Sequence, residues 1–511
     1  MIDLTAAQIA EITGGTLIDG ADPATPVSGP VEFDSRRITP GSVYMALPGA
    51  RVDGHDFAAA ALDDGAALVL AGRPTGGPAL LCPPVEQEEG TQRNASYLDN
   101  DPDGLGERVI TAVSRLARYS TDVLVAENGL TVIGVTGSAG KTSTKDLLGA
   151  VFSRAGATVA PPGSLNNEIG HPYTVLKADR STRYLIAEMS ARGQGHIARL
   201  ARIAPPRIGV VLNVGTAHLG EFGSRDGIAR AKGELVEALP PAADGGVAVL
   251  NADDDLVAGM AQRTTARVVF YSATQGAGGT ADYRASDVSL DEVARASFLL
   301  HHPAGDPVPV RLGVFGAHNV ANALAAAAAA IECGLDPATV ADALTGYTAA
   351  SANRMDVRTR PDGLTVINDS YNANPDSMRA GIDALVHAAA GRPGKESWAV
   401  LGQMAELGEE TVGEHAGIGD YLADQGVDRL IVVGAGPNQD ALARTASARG
   451  MQVNRAADVA SAITALSATH PGDVVLVKAS YSDGLWRVAE GLHADARHTQ
   501  PSPSTRPSET R

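Results

Sequence analysis

The feature that most constrains the fold is a regular alternation of short apolar runs with amphipathic stretches, which begins near residue 108. In the middle of the chain, the predicted strands are 130–135, 184–188, 208–214 and 247–251. A second series of predicted strands follows residue 351, at 364–368, 398–402, 429–434 and 473–478. Strands that alternate with helices form parallel sheets with helices on their faces. The sequence therefore predicts an α/β fold with two such sheets.

The length of 511 residues exceeds what one hydrophobic core supports, so we predict three domains and a tail. Residues 1–107 are predicted to form a small mixed N-terminal domain, because their apolar runs are short and separated by Gly and Pro turns. Residues 108–350 are predicted to form a central domain with a parallel sheet, and residues 351–495 a C-terminal Rossmann-like domain. The polar stretch 83–106 is predicted to connect the first two domains, and 496–511 to be a disordered tail.

The formal net charge of -18 argues against a nucleic-acid surface, because phosphate backbones are bound by clustered Lys and Arg. The two cysteines, Cys82 and Cys333, have no metal-ligand spacing around them, as is usual in a reduced cytosol. The sequence has neither a basic and apolar leader nor a run of about 18 apolar residues. These observations predict a cytoplasmic protein without nucleic-acid or membrane partners.

The segment TGSAGKT at 136–142 lies between a predicted strand and a predicted helix. In such a loop, glycines let backbone N–H groups surround a phosphate, a lysine neutralises its charge, and a Thr hydroxyl can bind Mg²⁺. The strict GxxxxGK[ST] pattern is not met, because Val135 occupies the first glycine position. The context still predicts a P-loop ATPase-like central domain. The predicted nucleotide contacts are Gly137, Ser138, Ala139, Gly140, Lys141, Thr142 and Ser143.

Two polar side chains that follow neighbouring predicted strands are candidates for a metal site. Glu188 ends the run YLIAE, at the sheet edge where α/β proteins bind ligands, and its carboxylate would suit Mg²⁺. The alternative is a solvated glutamate at a strand end. His218 follows the run IGVVL and would join a second metal site, with a histidine at the edge of the core as the alternative. Lys232 lies in a predicted helix, where a lysine is ordinarily solvated.

The order of the motifs resembles that of the Mur ligases. After TGSAGKT come SLNNEIGHP, IAEMS, LNVGTAHLGEFGS and RAKGE, followed by GAHNVANALAA, NRMDV, INDSYNANPDSM and LGQMAELGEE. The segment DSRRITPGSVYMALPGARVDGHDF at 34–57 extends the resemblance to the N-terminal domain. The resemblance therefore covers nearly the whole chain, apart from the polar loop and the tail.

The resemblance implies ATP and Mg²⁺ as cofactors. Lys141 would contact the ATP phosphates and act as a catalytic residue together with Glu188, His218 and Lys232. The implied metal ligands are Thr142, Glu188, His218 and Lys232, the last of these as a carbamate. The implied adenine pocket contains His318, Asn319 and Asn322, although the two asparagines could instead cap the helix that begins there. Arg354 and Asp369 would reach the phosphates and the ribose from the C-terminal domain.

The resemblance also implies the substrates. The segments DSYNANPDS and LGQMAELGE are similar to those of members that add D-alanyl-D-alanine to UDP-N-acetylmuramoyl-tripeptide, and the DNPR motif of the diaminopimelate-adding members is absent. Ser35 and Arg36 would hold the UDP group, since an Arg fork matches phosphate oxygens. The implied contacts to the peptide substrates are Asn166, Asn167, Tyr371, Asn372 and Asn374. One departure is His196, which stands where relatives often carry an acidic residue.

The resemblance implies an ATP-dependent ligase that forms a peptide bond through an acyl phosphate, in the synthesis of the peptidoglycan precursor, and we expect a monomer. One alternative is another Mur-type amide ligase, of the diamino-acid-adding or folylpolyglutamate type. A second alternative, from a different class, is a P-loop NTPase that ligates nothing. The product formed from ATP, the UDP-tripeptide and the dipeptide would separate these predictions.

Overall fold

Three large sheets, of five, nine and six strands, follow one another along the described part of the chain. This computed structural model describes residues 1–49, 51–85, 101–161, 163–215, 219–274, 281–348, 353–405 and 407–498. The predicted α/β fold with three successive sheet domains is confirmed. None of the helices in these ranges combines the length and the apolar character needed to cross a bilayer.

The N-terminal domain is small and mixed, as predicted. Its strands are β1 (Leu4–Thr5), β2 (Thr16–Ile18), β3 (Pro26–Val27), β4 (Val31–Glu32), β5 (Val43–Met45), β6 (Leu68–Ala71) and β7 (Ala79–Leu81). Its helices are α1 (Ala6–Thr13) and α2 (Ala58–Asp63). The five-stranded sheet has the order β2-β7-β6-β5-β4, in which β2 pairs antiparallel and the other pairs are parallel. Strands β1 and β3 form a separate antiparallel pair.

A long helix, α3 (Leu105–Asn128), joins the first two domains. On one side, the guanidinium of Arg115 donates to the backbone oxygen of Thr13 at 2.7 Å. On the other side, the guanidinium of Arg118 donates to the backbone oxygen of Arg202 at 2.9 Å. The predicted boundary between residues 107 and 108 therefore falls in the first turn of a helix that contacts both domains. Of the polar stretch 83–106, residues 86–100 lie outside the described residues.

The central domain contains the nine-stranded sheet. Its strands are β8 (Thr131–Thr136), β9 (Thr158–Val159), β10 (Tyr184–Glu188), β11 (Ile208–Val211), β12 (Val247–Asn251), β13 (Arg267–Ser272), β14 (Tyr283–Leu290), β15 (Arg295–His301) and β16 (Val308–Phe315). Its helices are α4 (Lys141–Phe152), α5 (Gly170–Val175), α6 (His196–Ile203), α7 (Leu219–Phe222), α8 (Arg225–Glu237), α9 (Asp255–Ala258), α10 (Asn319–Glu332) and α11 (Pro337–Thr345).

The strand order of this sheet is β16-β15-β14-β13-β12-β11-β8-β10-β9. The pairs from β9 to β14 are parallel, as predicted, whereas β14, β15 and β16 pair antiparallel and extend one edge. Strands β8, β10, β11 and β12 are almost entirely buried, as strands covered on both faces must be. The alanines of α10 from Ala325 to Ala330 are fully buried, and their small side chains let this helix pack closely on α4 and the sheet.

The C-terminal domain contains the six-stranded sheet. Its strands are β17 (Asp356–Thr359), β18 (Thr365–Asn368), β19 (Ser397–Leu401), β20 (Arg429–Val433), β21 (Gln452–Ala456) and β22 (Val474–Lys478). Its helices are α12 (Pro375–Ala390), α13 (Thr411–Asp424), α14 (Pro437–Ala448), α15 (Val459–Ala465) and α16 (Trp486–His498). The order is β17-β18-β22-β19-β20-β21, with only β17 antiparallel. Helix α16 continues past residue 496, where the tail was predicted to begin, and residues 499–511 lie outside the described residues.

Candidate active site between the central and C-terminal domains

The carboxyl ends of the central strands face the C-terminal domain across a cavity of about 520 Å³. This volume lies within the usual range for small-molecule sites in proteins. Most of the predicted site residues line it: Ser138, Ala139, Gly140, Lys141, Thr142, Ser143, Asn166, Asn167, Glu188, His318, Asn322, Arg354, Asp369, Asn372 and Asn374. The structure therefore brings together residues that lie more than 200 positions apart in the sequence.

The phosphate loop connects β8 to α4, and its backbone is held in shape by the chain that follows β11. Asn213 clamps Ala139 from both sides, since its Oδ1 accepts from the Ala139 N–H at 2.9 Å and its Nδ2 donates to the Ala139 oxygen at 3.2 Å. The Gly215 N–H donates to the Ser138 hydroxyl at 3.0 Å. The Lys141 ammonium folds over the loop and donates to the backbone oxygen of Gly137 at 2.7 Å. The shape of the loop is thus held by contacts within the protein.

Gly140 is the point where the loop turns into α4. Its φ of 82° lies in the left-handed region that favours glycine. A Cβ atom there would lie 2.6 Å from the Asn322 Oδ1 atom of α10, so the side chain is also excluded by space. With glycine at this position, the start of α4 can lie close to α10. The backbone N–H groups at a helix start attract phosphate.

Glu188 ends β10 and is 3% exposed. Its Oε2 accepts from the Thr142 hydroxyl at 2.9 Å. Its Oε1 accepts from the Ser164 hydroxyl at 2.8 Å and from the Asn166 Nδ2 at 2.7 Å. These donors are all neutral, so the carboxylate is fixed in place while its charge is not balanced by a cation among the described residues. A solvated strand-end glutamate, the alternative from the sequence, does not fit this burial.

Lys232 lies on α8 and is buried, with 5% of its surface exposed. Burial lowers the pKa of its ammonium well below the usual range, and the charge of Lys141 lowers it further. The solvated helical lysine considered from the sequence is therefore not what the structure contains. His218, the other predicted metal ligand, lies outside the described residues.

The start of α10 presents the predicted adenine-binding residues. Asn319 is buried and donates from Nδ2 to the backbone oxygen of Phe315 at 2.7 Å. Asn322 is also buried and donates from Nδ2 to the Asn319 Oδ1 at 2.9 Å, which leaves its own Oδ1 facing Gly140. Neither side chain accepts a backbone N–H of the first turn, so helix capping does not account for them. His318, at the helix start, lines the cavity.

The C-terminal domain contributes Asp369, which follows β18. The Lys478 ammonium at the end of β22 contacts the Asp369 Oδ2 at 2.5 Å and donates to the backbone oxygen of Asn372 at 3.0 Å. The Met355 N–H donates to the Asp369 Oδ1 at 3.2 Å. Arg354, beside Met355, places its guanidinium carbon 4.1 Å from the centre of the Tyr371 ring. Asp369 is thus held by the buried ammonium of Lys478, and the ion pair of these two residues has no net charge.

Several predicted substrate contacts have local structural roles. Asn374 caps α12, because its Oδ1 accepts from the Ser377 N–H at 2.8 Å and Ser377 bonds back to the Asn374 N–H. The Asn167 Oδ1 accepts from the Gly170 N–H at 2.8 Å, a contact that stabilises the turn before α5. The Tyr371 hydroxyl is bonded to the central domain rather than lining the cavity.

The predicted UDP contacts lie in the N-terminal domain, away from this cavity. Arg36 is exposed and forms a paired contact with Asp34, in which Nε and Nη2 lie 2.8 Å from the two carboxylate oxygens. Ser35 begins the short 3₁₀ turn that contains Arg36. Neither residue lines the cavity between the central and C-terminal domains, so their predicted role stays a prediction.

The polar residues that line the site without having been predicted as site residues include Ser164, Glu168, His196 and Lys478. Ser164 and Glu168 flank the predicted Asn166, within one motif. Lys478 ends an apolar strand, in the position that drew attention to Glu188, and this signal could have identified it. Glu168 and His196 line the cavity as a pair, with the His196 Nδ1 3.3 Å from the Glu168 Oε1.

The Glu168 carboxyl has an altered pKa. Burial by itself raises this pKa, but the hydrogen bond from His196 and the positive charge of Arg199 outweigh burial, so the pKa lies below its usual value. Glu168 is therefore an anion at neutral pH on the wall of the cavity. The contact with Glu168 gives His196, the departure noted in the sequence, a structural role.

The donors around Thr142 and Glu188 fit Mg²⁺ in chemical type. Among the described residues, no three His, Cys, Asp or Glu side chains lie close enough to hold a metal together. Mg²⁺ commonly binds through one or two carboxylates and the phosphates of a nucleotide, and it keeps several waters. One carboxylate with an adjacent hydroxyl, beside a phosphate loop, is a donor set of that kind.

Comparison with known proteins gives matches along the whole chain. The family model of the Mur ligase middle domain matches residues 135–330, that of the Mur ligase glutamate ligase domain 353–481, and that of the Mur ligase family catalytic domain 30–81. The UDP-N-acetylmuramoyl-tripeptide–D-alanyl-D-alanine ligase of Mycobacterium leprae is 51% identical over 517 residues, which cover 97% of this chain and 99% of that protein.

Solved structures show the same architecture. MurF from Acinetobacter baumannii superimposes with a TM-score of 0.78 at 28% identity, over 97% of this chain and 99% of that one. The MurF ligase from Thermotoga maritima, solved in complex with ADP, gives a TM-score of 0.71 at 26% identity, over 92% and 98% of the two chains. On this evidence, together with the cavity in which the phosphate loop and Glu188 face Asp369, the chain belongs to the Mur ligase family.

Proposed function

We propose that this chain uses ATP to join D-alanyl-D-alanine to the terminal carboxyl group of a UDP-N-acetylmuramoyl-tripeptide. The observation that carries the proposal is the single cavity in which the phosphate loop and Glu188 of one domain face Asp369 of another. Similarity to tripeptide–D-alanyl-D-alanine ligases over nearly the whole chain supports this choice of substrates. A monomer and a cytoplasmic location stay predictions.

The first step must activate the carboxylate, which is a poor electrophile. An oxygen of the tripeptide carboxylate forms a bond to the γ-phosphorus of ATP, the bond from that phosphorus to the β–γ bridging oxygen breaks, and an acyl phosphate and ADP result. We propose that Lys141 and the N–H groups at the start of α4, which line the cavity, balance the charge of the phosphates. Mg²⁺ bound at Thr142 and Glu188 would supply further positive charge to these oxygens.

Lys232 supports a second metal position, for which His218 is the other proposed ligand. A carbamate forms when a neutral amine attacks CO₂ and loses a proton, so the amine must be uncharged. The burial of Lys232 and the charge of Lys141 both favour the neutral amine. We propose that Lys232 is carbamylated, which would turn a buried amine into an oxygen ligand.

In the second step, the free amine of D-alanyl-D-alanine attacks the acyl carbon, the bond to the phosphate oxygen breaks, and phosphate and a proton are released. An acyl phosphate hydrolyses in water, so this step needs a site from which water is excluded. The C-terminal domain covers the cavity and places Asn372 on its wall. We propose that Asn372 lies near the incoming dipeptide, whereas Asn374 mainly fixes the start of α12.

The test is a mass measurement of the product formed from ATP, UDP-N-acetylmuramoyl-tripeptide and D-alanyl-D-alanine. The expected product is the UDP-pentapeptide, with one phosphate released for each peptide bond. Lys141→Ala should abolish its formation, and Lys395→Ala, which changes an exposed lysine of the C-terminal domain, should not. A product with another amine acceptor would instead support a different amide ligase, and ATP hydrolysis that needs no acceptor would support an NTPase.

A further inference from the structure

We propose that Tyr371 is a positioning residue that links the C-terminal domain to the carboxylate of Glu188 through Ser164. The inference rests on the proposed function, in which Glu188 is a metal ligand. Tyr371 itself does not line the cavity, so its effect would pass through the central domain. The chain of contacts runs from the Tyr371 hydroxyl to the Ser164 backbone, and from the Ser164 side chain to Glu188.

The first contact joins two domains. The backbone N–H of Ser164 donates to the Tyr371 hydroxyl oxygen at 2.9 Å, although the two residues are 207 positions apart. Ser164 lies in the loop between β9 and α5, and Tyr371 lies in the loop between β18 and α12. A backbone N–H that loses its partner in a partly buried place costs free energy, so this contact fixes the Ser164 backbone.

The second contact lies at the proposed metal site. The Ser164 hydroxyl donates to the Glu188 Oε1 at 2.8 Å and accepts from the Asn166 Nδ2 at 2.7 Å. The same Asn166 nitrogen lies 2.7 Å from the Glu188 Oε1. Ser164, Asn166 and one oxygen of Glu188 therefore form a closed triangle of contacts, and a shift of Ser164 would change the orientation of the carboxylate.

The residues Pro161 and Gly163, before Ser164, are held by the central domain. Lys145 of α4 is buried, and its ammonium contacts the backbone oxygens of Pro161 at 2.5 Å and Gly163 at 2.9 Å. Asp146 balances its charge at 2.7 Å. Gly163 is thus anchored to the helix that follows the phosphate loop, and the contact from Tyr371 connects the next residue, Ser164, to the C-terminal domain.

The Tyr371 ring is also held from its own domain. The Arg354 guanidinium carbon lies 4.1 Å from the ring centre, and the Tyr481 ring centre lies 5.7 Å away. The Tyr371 N–H donates to the backbone oxygen of Asn353 at 3.0 Å. Arg354 and Asp369, the proposed ATP contacts, thus share a rigid unit with the hydroxyl that reaches Ser164. Glu188 would be fully oriented only when this unit lies over the nucleotide.

The experiment measures Mn²⁺ binding to the full chain in the presence of ADP, by electron paramagnetic resonance of the free ion. Tyr371→Phe removes the hydroxyl and keeps the ring, and we expect it to weaken Mn²⁺ binding about fivefold. Tyr481→Phe is the matched control, because it removes an exposed hydroxyl from the neighbouring ring and should change nothing. Unchanged Mn²⁺ affinity in Tyr371→Phe, with an unchanged melting temperature, would overturn the proposal.

A double-mutant cycle tests the route through Ser164. Ser164→Ala removes the hydroxyl from Glu188 and should weaken Mn²⁺ binding about tenfold, because a hydrogen bond to a charged group is lost. If Tyr371 acts through that hydroxyl, Tyr371→Phe should add no further loss in the Ser164→Ala background. Multiplied losses would contradict the route. The readout is Mn²⁺ binding, so the experiment tests the route from Tyr371 to Glu188 independently of catalysis. If the wild-type chain makes no UDP-pentapeptide, that result refutes the proposed function and leaves this test unaffected.

Discussion

The two carboxylates that face each other across the cavity are held in opposite ways. Glu188, in the central domain, accepts hydrogen bonds only from neutral groups, namely Thr142, Ser164 and Asn166. Asp369, in the C-terminal domain, contacts the buried ammonium of Lys478 at 2.5 Å. Both are fixed in position, but within the described ranges only Asp369 has a cation against it.

This difference assigns different chemistry to the two side chains. Neutral donors orient Glu188 without cancelling its charge, so it keeps a strong electrostatic attraction for a cation bound beside it. Lys478 neutralises Asp369, which then serves as a positioned hydrogen-bond acceptor with little attraction for a metal. One half of the cavity is thus suited to a metal ion, and the other half to neutral hydrogen-bond donors.

The largest expected effect is that of Glu188→Gln. The amide has the same shape and loses the charge, so we expect the rate of UDP-pentapeptide formation to fall about 10³-fold. The midpoint of urea unfolding should stay the same or rise, because a buried charge without a cation partner is costly to the folded state. Turnover and unfolding are measured on the same preparation. A variant that loses stability and keeps its activity would reverse the assignment.

Asp369→Asn should have the opposite effect, with a large loss of stability and a smaller loss of activity. The substitution leaves the Lys478 ammonium buried without its counter-charge, and we expect about 3 kcal/mol of lost stability in urea unfolding. Catalysis should suffer less than in Glu188→Gln, mainly as a higher KM for ATP.

The control for this prediction is the double variant Asp369→Asn with Lys478→Met, which removes both charges and keeps the volume of the lysine stem. It should recover at least half of the lost stability. If the double variant is no more stable than Asp369→Asn alone, the ion pair is not what holds this half of the cavity.

The two halves also differ in how far they could be predicted from the sequence. The phosphate loop and the strand before Glu188 are continuous patterns, and the predicted strands 184–188 and 247–251 coincide with β10 and β12. Buried parallel strands give uninterrupted apolar runs, which are easily recognised. The antiparallel strands β15 and β16 were not predicted, because they alternate buried and partly exposed residues and lack such runs.

The contact of Lys478 with Asp369 spans 109 positions, and that of Tyr371 with Ser164 spans 207. No local pattern in the sequence marks such pairs, since they depend on how two sheets are placed. The same reason explains Asn374, whose predicted role near the substrate came from its motif, while its hydrogen bonds to Ser377 are those of a helix cap. Motifs in the sequence identified which segments meet in the cavity. The structure was needed to show which side chains of those segments form hydrogen bonds and ion pairs with one another.

The half of the cavity formed by the central domain is held by close contacts between neutral groups. A single added methyl group should therefore disturb it. Gly140→Ala combines a φ of 82° with a Cβ atom 2.6 Å from the Asn322 Oδ1. We expect a loss of about 2 kcal/mol in ADP affinity, measured by calorimetry. Gly195→Ala is the matched control, because Gly195 has a φ of 84° and no atom within 4 Å of the added Cβ. Equal ADP affinity in the two variants would mean that close packing of α4 on α10 is unimportant.

Glu168 provides an intermediate case between the two carboxylates, because its partner is the imidazole of His196. Its pKa is lowered in the folded chain, so this contact stabilises the fold above the usual glutamate pKa and is lost as the pH falls through the lowered value. We expect His196→Leu, which removes the donor, to cost about 1 kcal/mol in urea unfolding at pH 7. The difference in stability from the wild-type chain should shrink as the pH falls below about 4.3, the usual glutamate pKa.

In a Glu168→Gln background this pH dependence should disappear. The contrary result is an equal loss of unfolding free energy in His196→Leu at pH 7 and at pH 3.5. In that case the imidazole stabilises α6 by packing alone. Glu168 would then resemble Glu188, a carboxylate held without a cation.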